Sequence, residues 1–378
     1  MATLTRIIRD KIIEKIKKFN KIIVIYGARQ VGKTTLVKQI VENLNYKTIW
    51  INADQSKYIE VLSSKDLNKL KLLVENYELL IIDEAQRIPD IGINLKILHD
   101  EIKNLKIIVT GSSSFDLAQK VTEPLTGRKY VLKLLPFSIN EMLTELNKFE
   151  LNNKIEEIII YGSYPEIYKR QNYKEKEDLL YEIGNSYLFK DIIELNNIRF
   201  TRKLNDLLKL LSFQIGSEAS INELASKLKL NRESVEKYIE LLEKSFIIFR
   251  LSAFNRNLRK EVSKMDKFYF YDLGIRNMLI NNFNSFNNRN DIGQLWENFI
   301  ISERIKQLSF SEIHASKYFW RTYTGAELDY IEEKNGQLNA YEIKFNKGKV
   351  RIPKTWLETY NNSTFKLINN DNYFDFLT

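Results

Sequence analysis

The chain has 378 residues, with 58 Lys or Arg against 49 Asp or Glu and a formal net charge of +9. Its 44% apolar content suits several buried cores, about two to four domains at this length. There is no cysteine, and His99 and His314 are the only histidines. Disulfides, thiol nucleophiles, thiolate zinc sites and histidine-rich metal centres are therefore excluded, and any metal must sit on oxygen ligands, which favours Mg²⁺ or Mn²⁺.

The longest apolar runs, 79–82 and 158–161, are too short to span a bilayer. Arg6, Arg9, Asp10 and Lys11 interrupt the first apolar residues, so no signal peptide is read. The expectation is a cytoplasmic protein without a membrane partner. Its positive charge is compatible with DNA or RNA without requiring either.

In chain order, Ile7, Ile8, Ile12, Ile13 and Ile16 recur at helical spacing and predict an amphipathic leading helix. The apolar run 21–26 follows as a strand, and directly after it come Gly27, Ala28, Arg29, Gln30, Val31, Gly32, Lys33, Thr34 and Thr35. This is G-x-x-x-x-G-K-T between a strand and a helix (36–41), the setting of a phosphate-cradling loop. The glycines let the backbone wrap phosphates, Lys33 reaches the β- and γ-phosphates, and the Thr34 hydroxyl suits Mg²⁺. The helix N-terminus adds positive potential. The expected ligand is ATP with Mg²⁺.

Residues 47–52 read as a second strand and 62–74 as a region containing a helix. Leu79, Leu80, Ile81 and Ile82 then run into Asp83 and Glu84. Four consecutive aliphatics predict a strand buried on both faces of a parallel sheet, with acids at the carboxyl end where such sheets bind ligands. Asp83 is assigned to the hydrated Mg²⁺ and Glu84 to the attacking water. Another buried strand, 105–110, ends in Gly111, Ser112, Ser113 and Ser114, whose hydroxyls could sense the γ-phosphate.

The run 27–35, Leu80-Ile-Ile-Asp-Glu-Ala-Gln86, Thr110-Gly-Ser-Ser-Ser114 and Thr126-Gly127-Arg128 resemble the AAA-type ATPase domain of a prokaryotic family similar to the archaeal ATPases. The resemblance implies an AAA+ core over 1–135, with Ser112 or Ser113 at the sensor-1 position. Arg128 matches the family's Gly-Arg pair; it could act in cis, as an arginine finger, or as a solvated structural residue.

Leu135-Pro136-Phe137 breaks the sheet pattern, and Ser138 to Glu141 is a capping-box signature. Helical patterns around 155–161 and 181–195, with a turn at 162–165, suit a helical lid over 136–200. From 201 to 280 the rhythm changes. A helix at 204–213, a second capping box at Ser220–Glu223, a helix capped by Asn231 and β-rich runs at 246–251 and 267–271 describe a winged helix. Its third helix, 232–244, carries Glu233, Glu236, Glu240 and Glu243 against Arg232, Lys237 and Lys244. That balance is poor for phosphates and favours a protein-docking or purely structural module, although Arg250, Arg256, Arg259 and Lys260 make the wing side more basic.

The asparagine-rich stretch 281–290 reads as a linker or exposed loop. A helix opening at Gly293 and strands at 318–323, 327–332 and 338–345 fill 290–378. A two-residue hairpin turn at Asn335-Gly336 pairs positions summing to 671, which sets Asp329 opposite Glu342, with Lys344 on the same face. Opposed carboxylates repel unless a cation lies between them. Asp329, Glu342-Ile-Lys344 and the helical Glu297 resemble the D…E-x-K arrangement of PD-(D/E)XK nucleases, a C-terminal partner of the AAA-type domain in the same family. Glu303 competes with Glu297 for the inward acid. Lys344, Lys347, Lys349, Arg351 and Lys354 form a candidate phosphate-contact strip. The expected whole is an α/β protein: a P-loop AAA+ parallel-sheet core with helical lid, a winged helix and a small PD-(D/E)XK-like domain. It would hydrolyse ATP and act on nucleic acid. The alternative is a nucleotide-dependent switch that docks proteins.

Overall fold

A computed structural model describes residues 4–112, 124–184, 201–255, 265–322, 325–346, 348 and 351–378. Ser113, Arg256, Arg259, Lys260, Lys347 and Lys349 lie outside the described residues, as does most of the helical stretch expected after 181.

The amino-terminal unit is a parallel sheet. After α1 (Ile8–Lys18) come β1 (Ile22–Gly27), α2 (Lys33–Glu42), β2 (Thr48–Asn52), α3 (Ser56–Leu62), α4 (Leu67–Leu73), β3 (Leu79–Asp83), α5 (Ile91–Glu101), β4 (Lys106–Ser112) and β5 (Lys129–Lys133). The strand order is β2-β3-β4-β1-β5, and every pairing is parallel. Alternate residues of the aliphatic strands feed two cores. Ile23, Ile25, Ile81 and Ile108 pack with α1 and α2. Val24, Leu80, Ile82 and Val109 pack with α3, α4 and α5. That two-sided burial explains why β1 and β3 are continuous apolar runs. The helix expected within 62–74 is α4, which starts where the Asp66 side chain accepts from the N–H groups of Asn68 and Lys69; α3 precedes it.

The region expected as a lid holds five short helices, α6 (Ile139–Met142), α7 (Lys148–Asn152), α8 (Ile155–Tyr161), α9 (Pro165–Lys169) and α10 (Tyr173–Ile183). Ser138 and Glu141 make the expected capping box in full.

Beyond the lid are α11 (Thr201–Phe213), β6 (Glu218–Ala219), α12 (Ile221–Leu228), α13 (Arg232–Lys244), β7 (Ile248–Ala253), β8 (Asp266–Phe270) and α14 (Leu273–Leu279). Three helices followed by an antiparallel hairpin are the expected elements. Arg232–Glu236 and Lys244–Glu240 pair along α13 itself. The chain ends with α15 (Ile292–Phe310), β9 (Ser316–Arg321), β10 (Glu327–Lys334), β11 (Gln337–Ile343), α16 (Lys354–Thr359), β12 (Ser363–Ile368) and α17 (Tyr373–Leu377).

Two sequence expectations change here. The regions 201–280 and 290–378 share one sheet, ordered β12-β11-β10-β9-β7-β8-β6, because β7 pairs parallel with β9 at Ser252↔Tyr318 and Ala253↔Phe319. The asparagine-rich stretch is also no free linker. Phe283 stacks on Tyr161 of the lid with ring centroids 5.6 Å apart, and the Phe286 N–H donates to Glu156 at 2.8 Å.

The β10–β11 hairpin forms as the sequence specifies. Asn335 and Gly336 take φ of 51° and 78°, and Lys334 pairs with Gln337. Positive φ at both central residues gives the turn twist that suits a two-residue hairpin.

Candidate functional site

The first site lies at the carboxyl end of the parallel sheet. β1 ends at Gly27, where an added Cβ would lie 2.2 Å from the Leu134 carbonyl oxygen, so only glycine fits. The loop then needs left-handed backbone at Gln30 (φ 60°) and Gly32 (φ 91°) before α2 starts at Lys33. Lys33 is buried, and its Nζ donates to the carbonyls of Gly27 at 2.9 Å and Ala28 at 3.0 Å. Thr34 Oγ1 donates to Asp83 Oδ2 at 2.9 Å, while Thr110 Oγ1 donates to Asp83 Oδ1. The sequence separation of 49 residues between Thr34 and Asp83 thus closes into one hydroxyl–carboxylate pair. These hard oxygen donors beside an anion-binding loop fit Mg²⁺ bound to a phosphate.

Glu84 follows with φ of 57°, a strained conformation for a glutamate. Gln86 Nε2 donates both to Glu84 Oε2 and to Ser112 Oγ, the latter at 2.8 Å. Gln86 and Ser112 are buried. Gln86 therefore ties the two residues assigned to water and γ-phosphate. The motif reading stopped at the acids and missed it, although it stands two residues past Glu84.

A cavity of about 460 Å³ opens over the loop, lined on the core side by residues 32–36, Glu84 and Arg87. Its far wall is Leu4, Arg6, Phe137, Pro165 and Lys169, from the leader and the lid. Arg6 was also missed, because it precedes the apolar pattern of α1. Its guanidinium donates to Leu135 O and Glu141 Oε2, both at 3.0 Å, and to Val31 O of the loop. It also lies 4.2 Å over the Phe137 ring. Burial pulls its pKa down, opposed by the carboxylate of Glu141. Arg6 joins the phosphate loop to the start of the lid.

Arg128 is placed elsewhere. Its carbonyl accepts from Ile22 N–H at the amino end of β1, and its Nε donates to Asp100 at 2.7 Å. Five residues of strand, about 16 Å, separate that end from Gly27. Arg128 does not join Glu84 and Lys33 within one chain.

The second site lies on the C-terminal sheet. The paired positions of β10 and β11 sum to 671 as the turn predicts, and Asp329 Oδ2 accepts from Ile343 N–H at 2.8 Å. Lys344 Nζ lies 2.7 Å from Glu342 Oε1 and 3.5 Å from Asp329 Oδ2. Glu297 on α15 faces the same cluster. It accepts from Tyr269 Oη at 2.5 Å and lies 3.5 Å from Lys267 Nζ, which also pairs with Glu327. Burial raises the Glu297 carboxyl to about 7, with Lys267 opposing the rise and the Asp329 charge adding to it. Burial and then Asp329 likewise raise Glu342.

Between Glu297 and Glu303, the structure therefore selects Glu297. Glu303 instead points at the lid, where it accepts from Ile139 N–H at 2.9 Å and pairs with Lys306 at 2.7 Å. Among the described residues no three His, Asp or Glu side chains converge as a metal-holding group. Lys267 and Lys344 compensate the acids. The donor types suit Mg²⁺ or Mn²⁺, but the three-carboxylate metal set expected from Asp329, Glu342 and Glu297 is not assembled. Arg351 and Lys354 are exposed beyond β11.

A family model described as "AAA domain" matches residues 19–143. Two domains of unknown function, DUF8612 and DUF4143, match 152–285 and 292–369. The first of these joins the lid and the three-helix region that the sequence divided at 200. An uncharacterised protein of Methanocaldococcus jannaschii is 26% identical over 93% of this chain and 85% of its own length. One from Mycobacterium tuberculosis is 23% identical over 85% and 70%. Among solved structures, a Walker-type ATPase of Pyrococcus abyssi is 18% identical, covering 72% of this chain and 94% of its own, with a TM-score of 0.48. Among the described residues no helix is long and apolar enough to cross a membrane.

Proposed function

We propose, from the match of residues 19–143 to an AAA domain and the loop geometry around Lys33, that the chain hydrolyses ATP with Mg²⁺ and passes its nucleotide state to a nuclease-like centre on the C-terminal sheet. Lys33 and the loop amides would hold the phosphates, with Thr34 and Asp83 at the metal. Mg²⁺ there would neutralise charge developing on the phosphates. Glu84 accepts the proton of the attacking water, held in place by Gln86 and checked against the γ-phosphate by Ser112. Arg128 belongs to this chemistry only if it reaches a neighbouring subunit.

The observation that carries the coupling is the grip of α15 on the lid entrance. Lys306 Nζ donates to Phe137 O at 3.0 Å, and Glu303 accepts from Ile139 N–H. Phe137 lines the nucleotide cavity under Arg6. A third tie, Asp272 accepting from Ser163 N–H at 2.7 Å, anchors α14 to the same lid segment. Glu297 stands six residues before Glu303 on α15, about 9 Å along the helix axis. Closure of the lid on ATP would therefore shift the helix that carries Glu297.

The Asp329–Glu342–Lys344 register supports phosphodiester cleavage as the C-terminal activity, with DNA as the favoured substrate. Purified protein with ATP and Mg²⁺ or Mn²⁺ is expected to cut DNA or RNA, and Asp329→Ala to abolish cutting while ATP turnover persists. Unchanged cutting by that variant would assign the scission to a contaminant.

A second reading has its own support. Lys267 lies between Glu297 and Glu327, where it supplies the positive charge a metal would bring. A centre neutralised in this way suits an inactive nuclease-like fold that docks proteins, through a winged helix whose α13 charges are internally paired. Absence of metal-dependent scission, with intact ATP turnover, would decide for this reading.

A further inference from the structure

A groove of about 1500 Å³ lies away from both sites. One wall is β5, the edge strand of the parallel sheet; the opposite wall is β7, β9 and the tip of the β10–β11 hairpin. The end of α13 closes one side.

Seven basic side chains line it against four glutamates. Three of the glutamates are committed: Glu312 to Lys15 at 2.9 Å, Glu243 to Arg250 at 3.2 Å, and Glu240 to Lys244. That leaves Lys129, Lys133, Lys317 and Lys334, with Glu333 as the one uncommitted acid. Among the described residues, none of these four ammoniums has a carboxylate within 4.0 Å.

Two of them are poorly placed without a partner. The Lys129 ammonium is covered from solvent and has no hydrogen-bond acceptor among the described residues. Lys317 is held below the ordinary lysine value, first by burial and then by the ammonium of Lys133 across the groove. Glu332, opposite Lys317 on β10, raises it less than these lower it, and its carboxylate is bonded to Arg304 at 2.6 and 2.9 Å. Converging, partly desolvated ammoniums repel until an anion enters, and covering an ammonium without an acceptor costs free energy that an arriving oxygen recovers.

We propose that this groove binds the phosphodiester backbone of a nucleic acid, with Lys133, Lys317 and Lys334 as its phosphate contacts and Lys129 behind them adding positive potential. A polyanion suits it better than a single phosphate, because the lysines come from two strands, β5 and β9, and a hairpin tip along an open channel. Phe246 lies in the same groove with the Lys133 ammonium 5.9 Å from its ring centroid, an apolar surface beside the charge. The site is separate from the Asp329 cluster and does not depend on that cluster cutting.

The test is fluorescence anisotropy with labelled single-stranded and duplex oligonucleotides of DNA and RNA. It is run on the full chain in EDTA without nucleotide, across a salt series. The double variant Lys133→Gln/Lys317→Gln is expected to weaken duplex binding on the order of tenfold at low salt. It should also reduce the slope of log K against log salt by about 2. Its thermal melt and basal ATP turnover should match wild type, and Asp329→Ala should bind as wild type does. If the double variant folds poorly, Lys334→Gln at the exposed hairpin tip should lower the slope by about 1. An unchanged slope in the folded variants would overturn the proposal, as would wild-type protein that ignores nucleic acid at low salt. Equal displacement by polyglutamate at matched charge would also overturn it, by reassigning the groove to an acidic protein.

Discussion

Glu84→Gln is expected to lower ATP turnover by roughly 10²–10⁴-fold, the range supplied by a positioned general base, while ATP binding persists. The substitution keeps the side chain's size and its ability to accept from Gln86, so the brace to Ser112 survives. What is lost is a group that can take the proton. Saturating-substrate phosphate release measures the first quantity and calorimetry the second. Turnover within a fewfold of wild type would remove Glu84 from the reaction and leave its left-handed backbone unexplained.

The second large effect concerns the grip on the lid. Glu303 and Lys306 are 3% and 2% exposed, so Lys306→Met leaves a carboxylate buried without its counter-charge. Breaking one side of such a pair costs roughly 3–5 kcal/mol. Glu303→Gln/Lys306→Met, which removes both charges, should recover much of that loss, and denaturant midpoints of the three proteins compare them. If the single variant matches wild type, the pair is not the strut that joins α15 to the nucleotide cavity.

The most legible parts of the sequence were those whose chemistry is local. G-x-x-x-x-G-K-T between strand and helix, the aliphatic run into Asp83, the Ser138–Glu141 box and the Asn335-Gly336 turn each specify backbone within a few residues. The turn alone fixes the partners of β10 along β11. The resemblance to an AAA-type domain extended that reading to Ser112 and to the C-terminal acids.

What escaped depends on distant contacts or weak patterns. β5 has the sequence Lys-Tyr-Val-Leu-Lys and is an edge strand, so it lacks the unbroken apolar run of its neighbours. The β7–β9 contact spans two residue pairs across more than sixty positions and leaves no local mark. Arg6 and Lys306 look like ordinary surface charges in the sequence, yet each is buried against backbone carbonyls far along the chain. Gln86 and the Asp66 cap were legible in principle, since both residue types suit those positions. Strand register places Asp329, Glu342 and Lys344 together but does not reveal Lys267 of β8, which pairs with Glu297 and Glu327.

Isothermal calorimetry of the folded chain with ATP and Mg²⁺ tests the central claim most directly. The account predicts saturable heat at one nucleotide per chain, lost in Lys33→Ala. Wild-type protein of intact secondary structure that gives no heat, or Lys33→Ala that binds as wild type does, would contradict it.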